Sequence, residues 1–284
     1  MKKDAIITKT KELYQGKHYL GIEFNEQTSR DQVLYGEEWL SEECTGIVTT
    51  CWASVDVIKE AQKIGANLII VHEALFWNHG DQQDWLQENK TYQLKKELLD
   101  EAKITVWRNH DFVHSGILQE DGSAIDGIFL GVVKTLGWEK FVEDLTRFPF
   151  IFRFDKGKTL HELSHELIDK LEVNGIRYVG ESKQVIRNLI VGYHALGQDN
   201  DIIKQLERED IDAICLLEMV DFTVLEFAKD SLSLGRNKAV LSAGHFNTEE
   251  PGMAYMADFL VEKLELEIPI QFVKSGDTVN YIVK

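Results

Sequence analysis

Short apolar runs alternate with amphipathic stretches along most of this chain. The segments Ile47 to Trp52 and Leu68 to Val71 are short and rich in β-branched residues, which predicts buried strands. Between them, Ser54 is a good N-cap for a helix with apolar residues at helical spacing, and Gly65 ends that helix. This order predicts a βαβ unit with a parallel strand pair and a right-handed crossover.

The same alternation continues to the end of the sequence, so we predict an α/β fold. Further helices are predicted over Lys3 to Tyr14, Thr91 to Lys103, Asp126 to Leu136, Leu160 to Glu172, Asp201 to Leu206, Phe222 to Asp230, and in a last helix that carries Pro251 in its first turn. Further strands are predicted over Tyr19 to Phe24, Ile104 to Trp107, Phe150 to Phe154, Leu189 to Val191, Ile211 to Leu217, Ala239 to Leu241 and Ile268 to Val273.

Residues that can bind metal follow three of the predicted strands directly. They are His72 with Glu73, then His110 with Asp111 and His114, and finally His245 followed by Glu249. Side chains at the carboxyl ends of parallel strands reach the crevice where open α/β sheets bind ligands. Histidines and carboxylates together suit Zn, Mn, Fe or Co.

The number of these residues exceeds what one tetrahedral ion needs. We therefore predict two divalent ions that share a hydroxide, a centre suited to hydrolysis. The alternative is chance clustering of polar side chains at solvated strand ends. Glu218 follows another predicted strand, as either a further metal or substrate contact or a solvated end, whereas His18, His79 and His194 are treated as ordinary.

Composition narrows the possible partners. The formal net charge of −17 argues against nucleic acid or an anionic membrane surface as the main partner, because phosphates are repelled at long range. Lys2 and Lys3 precede no apolar stretch of signal-peptide length. Cys44, Cys51 and Cys215 are odd in number and lack metal spacing, which predicts free thiols in a reducing cytoplasm.

The order and spacing of these motifs resemble the NIF-three-like family, whose members are often described as GTP cyclohydrolase I type 2 homologues. The usual His-His-Pro-Leu-Ile-Phe motif falls on His72 to Trp77, and His-Thr-Asn-Leu-Asp falls on His110 to His114. The most specific motif, Gly-His-Tyr-Glu-Ser-Glu, falls on Gly244 to Glu249. The resemblance implies two closely joined α/β domains, a dinuclear metal centre at the strand ends and a homohexamer. We divide the chain accordingly into residues 1–140 plus 238–284, which carry the metal ligands, and residues 141–237.

Two positions depart from the family pattern. The second histidine of the first motif is Glu73, and the aspartate of the second motif is His114. Each exchange alone would change the charge of the cluster, but together they leave the numbers of histidines and carboxylates unchanged. This compensation supports a retained two-metal site. Asp111, three residues before the expected position, is an alternative ligand to His114.

Two other functions compete with a metal-dependent hydrolase that acts on a nucleotide or a related small molecule. One is a non-catalytic metal-binding scaffold or metallochaperone. The sequence does not show whether a coordination position of the metal stays open to water or substrate, as an enzyme requires. The other is a zinc protease, because His161, Glu162 and His165 match the His-Glu-x-x-His pattern. Glu162, however, has capping-box spacing with Thr159, and the third ligand of the extended pattern would fall on Leu171, which cannot bind metal.

Overall fold

The computed structural model describes residues 1–19, 22–78 and 80–283. The chain divides into two compact units. Unit 1 consists of Met1–Gly131 and Glu250–Ser275, and unit 2 consists of Val132–Glu249 and Gly276–Lys284. The division made from the sequence, into residues 1–140 plus 238–284 and residues 141–237, stays a prediction.

Unit 1 contains most of the elements of the first half of the chain and one late strand. Its helices are α1 (Lys3–Glu12), α2 (Val55–Lys63), α3 (Lys90–Glu101), α4 (Asp111–Ser115), the first half of α5 (Gly127–Leu136) and most of α9 (His245–Leu264). Its strands are β1 (His18–Tyr19), β2 (Ile22–Glu23), β3 (Val33–Tyr35), β4 (Ile47–Thr50), β5 (Leu68–Val71), β6 (Thr105–Arg108), β7 (Ile117–Leu118), β8 (Ala124–Ile125) and β14 (Ile270–Phe272).

The main sheet of unit 1 has the strand order β14-β4-β5-β6-β3. Strands β14, β4, β5 and β6 are parallel, and β3 is antiparallel to β6. The register sets Val71 level with Arg108, so His72 and Asn109 leave neighbouring strands side by side. The predicted βαβ unit is confirmed, and its parallel strands end together at one edge.

Unit 2 repeats this architecture with different edge strands. Its remaining elements are β9 (Phe150–Thr159), α6 (Leu160–Leu171), β10 (Arg177–Val179), β11 (Val185–Tyr193), α7 (Asp199–Glu207), β12 (Ala213–Leu216), α8 (Val224–Ser233) and β13 (Ala239–Ser242). The strand order is β10-β13-β12-β11-β9, with β11, β12 and β13 parallel and with antiparallel strands at both edges. The predicted α/β fold is therefore confirmed in both units.

Apolar strands covered by amphipathic helices form a core in each unit. In unit 1, Val57 and Ile58 of α2 pack in one cluster with Ile69 of β5, and all three are fully buried. In unit 2, Ile202 of α7 packs in one cluster with Ile214 of β12. Complete burial of such side chains contributes about 1.5–3 kcal/mol each. These contacts hold the strands whose ends carry the candidate ligands.

Two helix starts agree with the caps read from the sequence. The Ser54 hydroxyl accepts a hydrogen bond from the backbone N–H of Val57 at 3.2 Å. At α6, Thr159 and Glu162 form the predicted capping box. Each cap satisfies backbone donors that the first turn of a helix leaves open.

Some predicted boundaries were wrong. Pro251 lies inside α9, which already begins at His245, and not in its first turn. Side chains stabilise the additional turn, since Asn247 donates to the Ala243 carbonyl and Thr248 donates to the Gly244 carbonyl. Strand β9 continues to Thr159, beyond the predicted end at Phe154, because its second half pairs with β11.

The predicted strand from Tyr19 to Phe24 is only partly described. Tyr19 belongs to the two-residue strand β1, and Ile22 and Glu23 form β2, which pairs antiparallel with β1, whereas Leu20 and Gly21 lie outside the described residues. Cys44, Cys51 and Cys215 form no disulfide, as predicted, and all three are buried. Among the helices described, none combines the length and the apolar character that crossing a membrane requires.

Candidate metal centre

The first cluster of histidines lies in unit 1, where β5 and β6 end. His72 follows β5 directly, and its backbone N–H donates to the Cys51 carbonyl at 3.0 Å. His110 and His114 follow β6, on either side of one turn of the short helix α4. The register of the parallel strands and a single helical turn thus bring three histidines to one edge of the sheet.

Asp31 holds the start of α4 in place. Its carboxylate accepts hydrogen bonds from the backbone N–H groups of His110, Asp111 and Phe112. Burial raises the pKa of Asp31 to about 6, although these three backbone donors oppose the rise. The sequence analysis missed this residue, since no local pattern links it to a helix that begins 80 residues later.

The three imidazole rings are in contact and excluded from solvent. His72, His110 and His114 are 0%, 8% and 7% exposed. The rings of His72 and His110 stack with centroids 4.5 Å apart, and the ring of His114 is 4.9 Å from each. One ring nitrogen of each histidine lies within 4.8 Å of those of the other two, so the three could bind a single ion.

An oxygen acceptor holds the Nδ1 atom of each ring. Nδ1 of His72 is 3.2 Å from the Asn109 carbonyl oxygen, and Nδ1 of His114 is 2.8 Å from a carboxylate oxygen of Asp126. Because a carbonyl or an ionised carboxylate only accepts, Nδ1 must carry the proton in a neutral ring. The lone pair is then on Nε2, the arrangement usual for metal-binding histidines.

His110 follows the same rule through Asp111. Its Nδ1 is 3.1 Å from Oδ1 of Asp111, and the guanidinium of Arg30 contacts the same oxygen at 2.6 Å. Burial lowers the pKa of His110 well below its usual value, and the neighbouring His72 and His114 add to this effect. The His110 ring is therefore neutral at physiological pH, the form that binds metal.

The second cluster lies in unit 2, at three parallel strand ends. His194 follows β11, Glu218 follows β12, and His245 follows β13 at the start of α9. Oε1 of Glu218 is 3.0 Å from Nδ1 of His194 and 2.7 Å from Nδ1 of His245, and its Oε2 accepts from the Ala195 N–H at 3.0 Å. Nε2 of His245 is 3.1 Å from Glu249, one helical turn later.

Electrostatics in unit 2 differ from those in unit 1. The side chains of His194, Glu218 and His245 are 32%, 27% and 16% exposed. Burial favours the neutral form of Glu218, but the hydrogen bonds from the two histidines prevail and hold its pKa well below the usual value. Glu218 is thus an ionised carboxylate that accepts three hydrogen bonds.

The remaining sequence-based candidates have different surroundings. Glu73 is buried, and one of its carboxylate oxygens lies within 4.8 Å of a ring nitrogen of His72. Glu249 is buried next to His245. His194 is not ordinary, as the sequence analysis assumed, because it shares Glu218 with His245. No sequence motif marks it, and His79 lies outside the described residues.

The histidines and the glutamate of the His-Glu-x-x-His segment lie on the exposed face of helix α6. His161 and His165 lie on α6 with ring centroids 4.4 Å apart, and both are exposed. Glu162 accepts from the backbone N–H of Thr159 at 2.8 Å as part of the capping box. The glutamate that would act as the base therefore already has a structural role at the helix start.

The donor set fits a divalent ion. Nitrogen and oxygen ligands of this kind bind Zn, Mn, Fe or Co. Neutral imidazoles that turn their lone pairs towards one another in a buried site would gain from a cation. The clustered ring nitrogens of His72, His110 and His114 fit this description, and in the other unit His245 offers an imidazole and Glu249 a carboxylate oxygen to a cation. Both units therefore present clusters that could bind metal.

Comparison with known proteins agrees with the fold. A Clostridium perfringens protein named GTP cyclohydrolase 1 type 2 homolog is 25% identical over 226 residues, which cover 79% of this chain and 80% of the relative. A solved Bacillus cereus protein related to NIF3 is 14% identical, has a TM-score of 0.72, and is matched over 100% of this chain and 99% of its own. A hypothetical protein of Staphylococcus aureus has a TM-score of 0.70 at 16% identity, with 99% of both chains covered.

The family model gives the assignment. The model of the Duf34/NIF3 (NGG1p interacting factor 3) family matches residues 32–278, which contain both clusters of histidines. The motifs at His72, His110 and His245 all fall inside this span. This chain belongs to the Duf34/NIF3 family.

Proposed function

We propose that this protein is a divalent-metal-dependent hydrolase that acts on a nucleotide or a related small molecule. The observation that carries the proposal is the common hydrogen-bonding state of the clustered histidines. His72, His110, His114 and His245 each have Nδ1 next to an oxygen acceptor, which leaves Nε2 for a metal. The printed name of the Clostridium relative supports the choice of a nucleotide as substrate class.

The proposed ligands are the residues identified in the sequence, and the proposed ions are two, drawn from Zn, Mn, Fe and Co. The ligands are His72, Glu73, His110, His114, His245 and Glu249. When bound, such ions supply Lewis acidity and lower the pKa of water, the chemistry that hydrolysis needs. Asp111 is assigned a supporting role, since its carboxylate binds Arg30 and His110, and the geometry favours His114 as the ligand.

The protein's own residues prepare this chemistry in two ways. Burial keeps His110 neutral, and the acceptors at Nδ1 hold the rings in one tautomer before any ion arrives. The partial exposure of His245 gives water and a small substrate access to this cluster. An accessible position distinguishes a catalytic metal site from a closed structural one, which supports an enzyme over a scaffold.

Metal analysis of protein purified without chelator tests the proposal. After Zn, Mn, Fe and Co have been supplied in turn, we expect close to two ions per chain. The His72→Ala and His245→Ala variants should each lose metal, because each removes a ligand. The matched control is the double variant His161→Ala/His165→Ala, which removes an exposed histidine pair and should keep its metal. Less than one ion per chain in the wild type, or metal loss only in the control, would contradict the proposal.

Activity separates the hydrolase from the scaffold. Each metal-loaded form is incubated with GTP and other nucleotides, and the products are separated by chromatography. We expect turnover that disappears together with the metal in His72→Ala. Full metal content without turnover of any of these substrates would favour the non-catalytic scaffold.

A homohexamer is part of the proposal through the family resemblance. Six chains of 32.6 kDa amount to about 196 kDa. Light scattering coupled to size-exclusion chromatography should give this mass. A mass of one or two chains would contradict the hexamer and leave the proposed metal chemistry intact.

A further inference from the structure

Glu218 receives N–H donors from two other strand ends of unit 2. Oε1 lies 2.7 Å from Nδ1 of His245 and 3.0 Å from Nδ1 of His194, and Oε2 accepts from the Ala195 N–H at 3.0 Å. None of the three motifs that resemble the family contains Glu218. The contacts nevertheless join β12 to the histidine with which the third motif begins.

The chemistry of this arrangement determines the tautomer of His245. An ionised carboxylate offers only acceptors, so the ring nitrogen that faces it must carry a proton. A neutral His245 then has its lone pair on Nε2, the atom that lies 3.1 Å from Glu249. The two nitrogens of one ring thus have different tasks, Nδ1 towards Glu218 and Nε2 towards the proposed ligand Glu249.

Contacts on the opposite side hold the carboxylate independently of His245. The Ala195 N–H fixes one oxygen, and His194 donates to the other. The His194 backbone is itself held, because its N–H donates to the Gln198 side chain at 3.0 Å. Glu218 is therefore oriented by the end of β11 before it meets the ring of His245, which makes it a preorganised acceptor.

We propose that Glu218 is a positioning residue that fixes the tautomer and the ring orientation of His245, so that Nε2 is presented as a metal ligand. The inference rests on the proposed function in one respect, the assignment of His245 as a ligand. Carboxylates that hold the far nitrogen of a ligating histidine orient the ring and raise its basicity, and their loss typically lowers metal affinity 10–100-fold.

Two measurements on the full-length protein test this role. In the metal-free protein labelled with ¹⁵N-histidine, at a pH where the His245 ring is neutral, NMR should show His245 as the Nδ1–H tautomer, and Glu218→Ala should convert it to a mixture. Chelator competition should show a 10–100-fold loss of metal affinity in Glu218→Ala, with the full number of ions bound at saturating metal. Glu218→Gln keeps an acceptor oxygen and should recover part of the affinity. Glu209→Ala, which removes a carboxylate that is 95% exposed, should match the wild type.

His194→Ala distinguishes positioning from direct ligation. As a positioning partner of Glu218, His194 can be removed with the full number of ions retained and with a change in affinity of no more than a few fold. If His194→Ala and Glu218→Ala each remove a whole ion, the two residues are ligands and the positioning role is overturned. An unchanged tautomer together with unchanged affinity in Glu218→Ala also overturns it.

The NMR measurement separates this inference from the proposed function. If the wild type binds no ion but Glu218→Ala changes the tautomer of His245, the proposed function fails and the control of the tautomer by Glu218 stands. If the wild type binds two ions and Glu218→Ala changes neither tautomer nor affinity, only the positioning role fails.

Discussion

The two units place histidines at equivalent positions but in opposite environments. In unit 1, His72, His110 and His114 lie beyond β5 and β6 and are almost completely buried. In unit 2, His194 and His245 lie beyond β11 and β13 and remain partly exposed. Strand ends of the same kind thus produce a dry cluster in one unit and a solvent-accessible cluster in the other.

This difference shows that a parallel sheet supplies the position of a site, while the surrounding side chains supply its electrostatics. Desolvation keeps the His110 ring neutral in unit 1. In unit 2 the accessible rings depend on Glu218, an ionised carboxylate that determines which nitrogen carries the proton. Variants that change burial should therefore affect unit 1 most, and variants that change hydrogen bonding should affect both units.

The first expected effect concerns a lysine in the dry interior of unit 1. Lys95 is 1% exposed, its ammonium donates to the Leu75 carbonyl at 2.7 Å, and burial lowers its pKa to about 7. A depressed pKa means that stability is fully present above the unfolded value of 10.5 and is lost as the pH falls towards 7. Protonation of Lys95 in the interior of unit 1 should therefore destabilise the folded protein.

Replacing this lysine should remove that dependence on pH. Between about pH 9 and pH 7, the free energy of unfolding of Lys95→Met should gain roughly 2 kcal/mol relative to that of the wild type. Urea denaturation at the two pH values measures the change. Lys63→Met, at a lysine whose side chain is 73% exposed, should show no such trend. Parallel pH profiles for the wild type and Lys95→Met would show that unit 1 tolerates a buried charge.

The next effect concerns the acceptor of a buried histidine. Asp126 accepts from Nδ1 of His114 with one oxygen, and with the other it accepts from the Ile128 and Phe129 N–H groups at the start of α5. Asp126→Ala removes a helix cap and leaves a buried donor unsatisfied, so it should destabilise the protein by about 2–4 kcal/mol. Asp126→Asn keeps one acceptor oxygen, which can still cap α5, and should cost less, about 1 kcal/mol. Equal losses in the two variants, measured by urea denaturation, would contradict this role for the side chain.

The two positions that depart from the family motifs test the ligand set of unit 1. Glu73→His removes a negative charge from the proposed cluster and should weaken metal binding roughly 10–100-fold. His114→Asp adds a charge, and the double variant restores the usual family residues and should recover much of the affinity. Chelator competition on all four proteins gives the coupling. Strictly additive changes would mean that the two side chains do not share a site, and Asp111 would replace His114 as the proposed ligand.

The smallest effect concerns the exposed histidine pair of unit 2. Thr159→Ala breaks the capping box of α6 and should lower the free energy of unfolding by about 1 kcal/mol, with metal content unchanged. Thermal unfolding and metal analysis of the same sample check both parts. A loss of metal in Thr159→Ala would contradict this and would indicate that Glu162 and its neighbours His161 and His165 bind metal.

Local patterns in the sequence were sufficient for the elements that carry the candidate ligands. The apolar run Leu68 to Val71 predicted β5, and Ser54 and Thr159 predicted helix starts through their own hydrogen bonds. The residues after β5 and β6 were selected because strand ends in α/β sheets bind ligands. The inferences about strands and helix starts succeeded because periodicity and caps depend on residues close together in the chain, whereas the choice of ligands stays a prediction.

Local signals failed where a more distant contact prevailed. Pro251 suggested the start of a helix, but hydrogen bonds of Asn247 and Thr248 begin α9 six residues earlier, at His245. His194 carries no motif, and it acquires a role only because β11 lies next to β12 and so brings it to Glu218. The strand order determines which of these side chains come into contact. The spacing of residues along the chain does not reveal the strand order.

The sequence by itself determined the α/β architecture and the residue types available for a metal, since both are written in local patterns of apolar and polar residues. Only the tertiary structure decided which histidines share a cluster and which of their nitrogens carries the proton. Asp31 reaches α4, Asp126 reaches His114 and Glu218 reaches His245 through contacts set by strand order and helix placement. The physical reason is that hydrogen bonds act over about 3 Å in space, regardless of how many residues separate the partners along the chain.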